Sequence, residues 1–498
     1  MTIVFVIFAL LILLCILDLL QVINMAKAKW FISYLLLMPH LPLAGYLYYI
    51  AAKDGVVNSS LGLTVILIIL AVCLQLYSTL RLHFQGLRKN RTKNPRVNII
   101  YAGRNLILCG LWGMYLLAIW YIVCFMVLPV NPYDSLIKSL FAGDTELMIA
   151  AAALLVSEVV YSFVFVWLFV INGSLRIFFG SRNLVIGKRI AILLLMWVPV
   201  VQLFLAHVLC TAAKDEYLVT LGRERDETFT LEDDKCATKY PIIMVHGIGF
   251  RDLQHFNYWG RIPTLLKQHG AVLYYGHQNA WGTIEDNAEA IAGSIDRALE
   301  ECGSEKVNII AHSKGGLDSR YLISTLGYAD KVATLTTINT PHRGSELITI
   351  LNKLPDHIYG YIAQALGNPF ELAGEKEPDV YNSSKQLDPV FCEQFNIDNP
   401  DSEKVYYQSY SSVMKGMFSD TLLSIPYFMM RTQKCKRSDG LVNESSAVWG
   451  EFKGTLTGSR HRGVSHGDMI DLKREDIRGF DVQKVFYDIV CELKIKGF

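Results

Sequence analysis

The stretch Val307-Asn308-Ile309-Ile310-Ala311-His312-Ser313-Lys314-Gly315-Gly316 decides how the second half of this 498-residue chain folds. Its apolar beginning reads as a short buried strand, and residues 314–326 carry a helical pattern. A serine between strand and helix on so short a connection sits on a sharp, strained turn. Such a turn accepts only small residues two positions before and after the serine, and Ala311 and Gly315 meet that demand. The turn lifts the Ser313 hydroxyl off the top of a sheet. It also sets the Lys314 N–H at a helix N-terminus, where it can donate to an oxyanion. A serine in an ordinary tight turn is the plain alternative, and the flanking strand and helix weigh against it.

Working outward, Tyr240-Pro-Ile-Ile-Met-Val-His246-Gly247-Ile248-Gly249 reads as a buried strand running into a Gly-rich turn. A helical stretch around 258–269, a strand at 271–275 and a helix at 284–301 follow. Then come the strand at 306–311, the helix at 314–326 and a strand at 332–338. Strands alternating with helices need crossover connections, so the expected class is α/β, a mostly parallel sheet with helices on both faces.

In chains with this elbow the acid and then the base follow the serine. Asp439, in Ser438-Asp439-Gly440-Leu441-Val442, is the best acid, after an apolar stretch at 425–430 expected to be a strand. A plain Asp-Gly surface turn is the alternative. His466, in Ser465-His466-Gly467-Asp468, is the best base, with His461 as its competitor. His466 would take the Ser313 proton while Asp439 holds the imidazole tautomer. The second oxyanion donor is expected at the Ile248 N–H, with His246 a structural histidine beside it rather than a base.

These residues, with Asp318-Ser-Arg-Tyr321 and Thr340-Pro-His-Arg-Gly-Ser345, resemble the secreted triacylglycerol lipases of Pseudomonas and Burkholderia. The resemblance is close over 240–345, looser over 420–476, and absent before residue 214. It implies an α/β-hydrolase fold with Ser313, Asp439 and His466 as triad and the backbones of Ile248 and Lys314 as oxyanion hole. It also implies a structural Ca²⁺ near the base, held by the carboxylates of Asp420 and Asp468 and the carbonyls of Leu472 and Asp476. Oxygen ligands suit such a hard cation; solvated loop carboxylates are the alternative. Ala311 departs harmlessly from the family's first glycine and is similar to Bacillus lipases. Ser445 stands where the family places a disulfide cysteine, and the N-terminal half is foreign to the family.

That half sets the composition. The chain is 52% hydrophobic and 19% charged, too apolar for one soluble domain and too ordered in composition for a disordered or collagenous one. Residues 1–213 carry 15 Lys+Arg against 6 Asp+Glu, leaving 32 against 40 in the remainder. The basic residues sit in short loops between apolar runs, which is no footprint for nucleic acid. Six runs, at about 3–22, 30–52, 61–82, 105–129, 146–171 and 190–211, have the length a membrane span needs. Alternate loops hold 13 of the basic residues, in three groups: Lys27 and Lys29; Arg81 to Arg104; Arg176 to Arg189. The other set holds only Lys53 and Lys138. The positive-inside bias then puts both termini, and the hydrolase domain, on the extracytoplasmic side of the cell membrane. Residues 1–22 lack a basic n-region and a cleavage site, so a retained helix is expected rather than a signal peptide. Glu158, mid-span, is a functional candidate or a buried structural hydrogen bond.

The expected organisation is therefore a six-span domain at 1–213, a polar linker at 214–239 and a hydrolase domain at 240–498. Apolar helix-like stretches at 346–366 and 410–430, broken by the polar segment 373–404, form a cap or lid, or else ordinary packing helices. Ten cysteines without a CxxC pair argue against zinc, and a Cys392–Cys435 bridge is an open option. The expected function is a membrane-anchored serine hydrolase acting on acylglycerols or related lipid esters, with no cofactor in the chemistry. A phospholipase or acyltransferase using the same acyl-enzyme is the runner-up. A non-catalytic lipid-binding sensor is the reading from another class.

Overall fold

A computed structural model describes residues 92–122, 137–226, 234–249, 258–372 and 378–498, apart from positions 139, 142, 144, 434, 436 and 459–461. The chain divides between Leu221 and Gly222 into two units. The first three expected spans and His461 lie outside the described residues.

In the first unit, α1 (Pro95–Ile122) packs along α2 (Thr145–Gly180), followed by α3 (Ile186–Leu195) and α4 (Pro199–Arg225). The α1–α2 contact is close because glycines face one another. A Cβ on Gly103 would stand 2.8 Å from the Gly173 carbonyl, and one on Gly173 would meet the Gly103 carbonyl. Among the described residues one helix, Pro95–Ile119, is long and apolar enough to cross a membrane. The sixth expected run is not one helix: the chain breaks at 196–198, because Pro199 offers no N–H to continue α3 and instead starts α4. The expected linker at 214–239 overlaps α4, which runs on to Arg225. Glu216 explains an acid in this helix: it is buried, 2.5 Å from Arg96 and 2.8 Å from Ser181 Oγ.

The second unit is built on six strands: β1 (Ile242–Val245), β2 (Leu273–Tyr275), β3 (Val307–His312), β4 (Val332–Ile338), β5 (Tyr406–Ser412) and β6 (Glu451–Leu456). Their order is β2-β1-β3-β4-β5-β6 and every pairing is parallel. Both faces are covered, so β1, β3 and β4 are buried along their whole length. Ile242 and Met244 pack with Trp259, Ile262 and Leu266 of α5 (Ile262–Gln268) and its approach, and with Phe486 and Val490 of α13 (Val482–Ile495). The alternate residues Ile243 and Val245 pack with Ile291 and Ile295 of α6 (Ile284–Cys302) and Leu322 and Ile323 of α7 (Gly315–Ser324).

The chain steps from β1 out to β2, then crosses back to β3 on the other side of β1. That reversal opens a crevice at the carboxyl ends of β1 and β3, where α/β sheets bind ligands.

Between β4 and β6 lie α8 (Glu346–Leu351), α9 (Asp356–Leu372), α10 (Val380–Lys385), α11 (Pro389–Asp398) and α12 (Ser424–Thr432). Three expectations change here. The polar segment 373–404 holds two helices, and the stretch 410–430 opens inside strand β5. The expected strand at 425–430 is helix α12. Its Tyr427 and Met430 bury three apart while Ile425 and Phe428 face outward, a helical repeat. Pro426 falls in its first turn, where no N–H is needed. Cys392 and Cys435 are both buried free thiols, so that bridge is not formed.

Candidate active site

Ser313 follows the last residue of β3 with φ of +54°, in the left-handed region that a side chain occupies only under strain. Its N–H donates to Ile338 O at 3.0 Å, fixing the turn to β4. Crowding explains the glycines around it. A Cβ on Gly315 would fall against the His246 carbonyl, and one on Gly247 would stand 2.6 Å from Ser313 Cβ. The two turns at the tops of β1 and β3 therefore meet backbone to backbone.

The amides beside Ser313 differ in their partners. The Gly247 N–H donates to Tyr258 Oη at 2.9 Å and the Gly249 N–H to Ala280 O at 2.9 Å. Between them the Ile248 N–H makes no hydrogen bond among those described, and neither does the Lys314 N–H. These are the two donors the sequence nominated. His246 contacts Gly247 O at 2.8 Å and Gln278 O at 3.0 Å through its two ring nitrogens, which occupies it structurally.

His466 Nδ1 lies 2.6 Å from Asp439 Oδ2, with Asp439 buried. The other oxygen, Oδ1, accepts the N–H groups of Leu441 at 2.9 Å and Val442 at 2.8 Å. The His466 N–H returns to Asp439 O at 2.9 Å, so the Asp439 and His466 loops are joined twice. The His466 ring stands 4.4 Å from the ring of His312, next to Ser313. No hydrogen bond between Ser313 and His466 is present among those described; in free enzymes this contact is commonly long and tightens on binding.

Several supporting residues escaped the sequence. Tyr258 Oη, besides accepting from Gly247, meets His312 Nδ1 at 2.7 Å. Burial, helped by the neighbouring His466, holds the His312 imidazole well below its ordinary range. The motif Thr340–Ser345 clamps the acid loop: Ser345 Oγ donates to Leu441 O at 2.5 Å, and the His342 N–H to Ser446 O at 3.0 Å. Where the family would carry a cysteine, the Ser445 carbonyl accepts from Arg343 Nη1 at 3.0 Å. Under the elbow, Lys314 Nζ pairs with Asp318 at 2.6 Å, both wholly buried, and Asn287 Nδ2 donates to the same carboxylate at 3.1 Å. Burial pushes the Asp318 carboxyl up to about 6, against the pull of Lys314 and Asn287. The sequence signal for this pair was the spacing of four between a lysine and an aspartate on one helix start.

The carboxylates nominated for calcium are paired with cations of the chain. No group of three His, Cys, Asp or Glu side chains among the described residues is placed to hold a metal ion. Asp476 belongs to a separate cluster, 2.8 Å from Arg261 and 3.7 Å from Arg223. Asp420 and Asp468 each face a cation of the chain, Lys473 and Arg462 respectively.

Residues 241–415 match the family model described as palmitoyl protein thioesterase. The chain is 28% identical to triacylglycerol lipase 2 of Saccharomyces cerevisiae over 55% of its own length and 81% of that protein. It is 38% identical to a triacylglycerol lipase of Burkholderia plantarii over 23% of its own length and 33% of that protein. The mature lipase BlEst2 of Bacillus licheniformis is similar in structure, with a TM-score of 0.39 and 19% identity, covering 51% of this chain and 92% of that one. The alignment to the Burkholderia lipase thus spans about a third of that protein's length. The parallel sheet and the sequence similarity to triacylglycerol lipases define the class: the chain is an enzyme, a carboxylic ester hydrolase. Within that class its second unit is similar to triacylglycerol lipases.

Proposed function

We propose that the protein is a membrane-anchored serine hydrolase of lipase type, cleaving lipid esters through an acyl-enzyme on Ser313. The observation that carries this is the buried Asp439 carboxylate 2.6 Å from His466 Nδ1, beside the strained Ser313 elbow. Asp439 keeps the proton on Nδ1, so Nε2 is the basic nitrogen. His466 Nε2 takes the Ser313 proton as Oγ bonds to the acyl carbon. The carbonyl oxygen becomes an oxyanion received by the Ile248 and Lys314 amides. Collapse expels the alcohol, which leaves with the proton from His466, and water repeats the sequence to free the acid and Ser313.

The lipid character rests on apolar surface. Phe418, Leu422, Ile425 and Phe428 stand exposed on α12 and the turn before it, a lid-like face suited to an ester interface. For the anchor, α1 is long enough to span. Outward apolar residues such as Trp197 in the break before α4, and Val200, Leu203 and Phe204 on α4, also fit a lipid surround. The loop charges favour the extracytoplasmic side for the hydrolase unit.

The test is hydrolysis of p-nitrophenyl esters of short to long acyl chains by the detergent-purified full chain, beside Ser313→Ala. Activity rising with chain length and lost in the variant is expected; equal activity in both would overturn the mechanism. A thioester substrate is the second reading, favoured by the family match over 241–415. The ratio of kcat/KM on matched palmitoyl oxoester and thioester decides between them. A phospholipase or acyltransferase would share the acyl-enzyme and differ in the group that enters or leaves it.

A further inference from the structure

Ser465, the residue before the base, is gripped by two carboxylates. Its Oγ donates to Asp420 Oδ2 at 2.7 Å, and its N–H donates to Asp468 Oδ2 at 2.9 Å. Each carboxylate is in turn met by a cation of the chain. Lys473 Nζ bonds Asp420 Oδ1, and Arg462 Nη2 lies 3.1 Å from Asp468 Oδ1. Arg462 Nε also donates to Ser419 O at 3.1 Å, tying the Asp420 loop to the loop of the base. Both carboxylates are buried.

The polarity of this cluster is opposite to that of a metal cage. A divalent cation needs several oxygen lone pairs pointing at one centre. Here the oxygens of Asp420 face hydrogens: the Lys473 ammonium, the Ser465 hydroxyl and the Leu422 N–H, the last at 3.0 Å. An ion entering would have to expel an ammonium that is covalently part of the loop. Tethered in this way, Lys473 has no dissociation equilibrium to lose under dilution or chelation.

We propose that Lys473 and Arg462 serve as built-in cations that hold Ser465, and through it His466, so that the base is set without a divalent metal. Asp420, Lys473 and Arg462 are then positioning residues. The kinetic half of the test rests on His466 being the base; the metal half does not.

The full chain in detergent is melted with EDTA and with millimolar Ca²⁺, and Lys473→Ala and Lys473→Arg are assayed on a soluble ester. The melting temperature is expected to be the same with chelator and with calcium. Lys473→Ala is expected to lower kcat on the order of tenfold with KM kept, as misplacement of a catalytic group does, and Lys473→Arg to restore most of it. Calcium raising the wild-type melting temperature would overturn the proposal, as would an unchanged kcat in Lys473→Ala. Should Lys473→Ala fail to fold, Ser465→Ala cuts the same link: a similar fall in kcat supports the tether, and an unchanged kcat overturns it. A wild type inactive on every ester would count against the proposed function, and the melting comparison would still decide the metal question.

Discussion

Asp439 divides its carboxylate between two tasks: Oδ2 meets His466 Nδ1 at 2.6 Å, while Oδ1 is fixed by the amides of Leu441 and Val442. An asparagine would keep the shape but present an N–H or a neutral carbonyl to the ring and favour the wrong tautomer. Asp439→Asn should lower kcat by about 10⁴ while leaving the circular dichroism spectrum and melting temperature close to wild type. A residual rate within tenfold of wild type would remove Asp439 from the triad.

Gly315 faces the His246 carbonyl with no room for a Cβ. Gly315→Ala should destabilise by about 1–3 kcal/mol, the usual cost of overpacking. It should also depress kcat, because relief comes by moving one of the two turns that carry the proposed oxyanion donors. Urea melts and ester kinetics on the same preparation check both halves.

The Lys314–Asp318 pair predicts a pH signature. The Asp318 carboxyl stands at about 6 in the folded chain, above its ordinary 3.8, with burial as the leading cause. The folded state therefore binds this proton more tightly than the unfolded state, so the group's contribution to stability falls as pH rises from about 4 to 6. Replacing both partners, Lys314→Met with Asp318→Leu, should flatten that window. Asp318→Leu alone strands a buried ammonium and should cost about 3–5 kcal/mol. Denaturant midpoints across the range report the slope.

Ile425 and Phe428 point away from the core of the second unit. Ile425→Ser/Phe428→Ser should leave hydrolysis of soluble short-chain esters near wild type and reduce turnover of emulsified long-chain esters several-fold. Parallel losses on both substrates would mean the helix packs rather than opens.

Burial pushes the thiols of Cys392 and Cys435 up to about 12. Both should resist iodoacetamide at mildly alkaline pH in the native protein and react after unfolding. Reductant should leave the melting temperature unchanged, since neither is in a bridge.

What the sequence made legible follows a physical divide. The strands around the elbow announce themselves because apolar residues dominate them: Ile242 to Val245, Val307 to Ala311 and Val332 to Ile338 are mostly apolar and buried throughout. Strand β5 was invisible for the opposite reason. Tyr406–Ser412 fills its inner positions with polar groups satisfied across the sheet. Gln408 bonds Thr336 at 2.8 Å, Ser409 bonds Trp449 O at 2.6 Å and Ser411 bonds Thr455 at 2.9 Å. Hydropathy registers polarity and not whether it is paired. Ser313, Asp439 and His466 could be nominated because chain order and small neighbours constrain them. Tyr258 meets His312 from 54 positions away and Asp420 meets Ser465 from 45, and no local pattern encodes such pairings. The break before Pro199 was within reach, since a proline there has a known cost.

The meeting of the Gly247 and Gly315 turns has a consequence for how such an enzyme can diverge. The spacing between Ser313 and the amides of Ile248 and Lys314 is set where these two turns touch, with the His246 carbonyl lying where a Cβ on Gly315 would go. Drift in sequence therefore has little purchase on the reaction centre itself. Variation is channelled into the long excursion between β4 and β6, which can reshape what is admitted while the chemistry stays as it was.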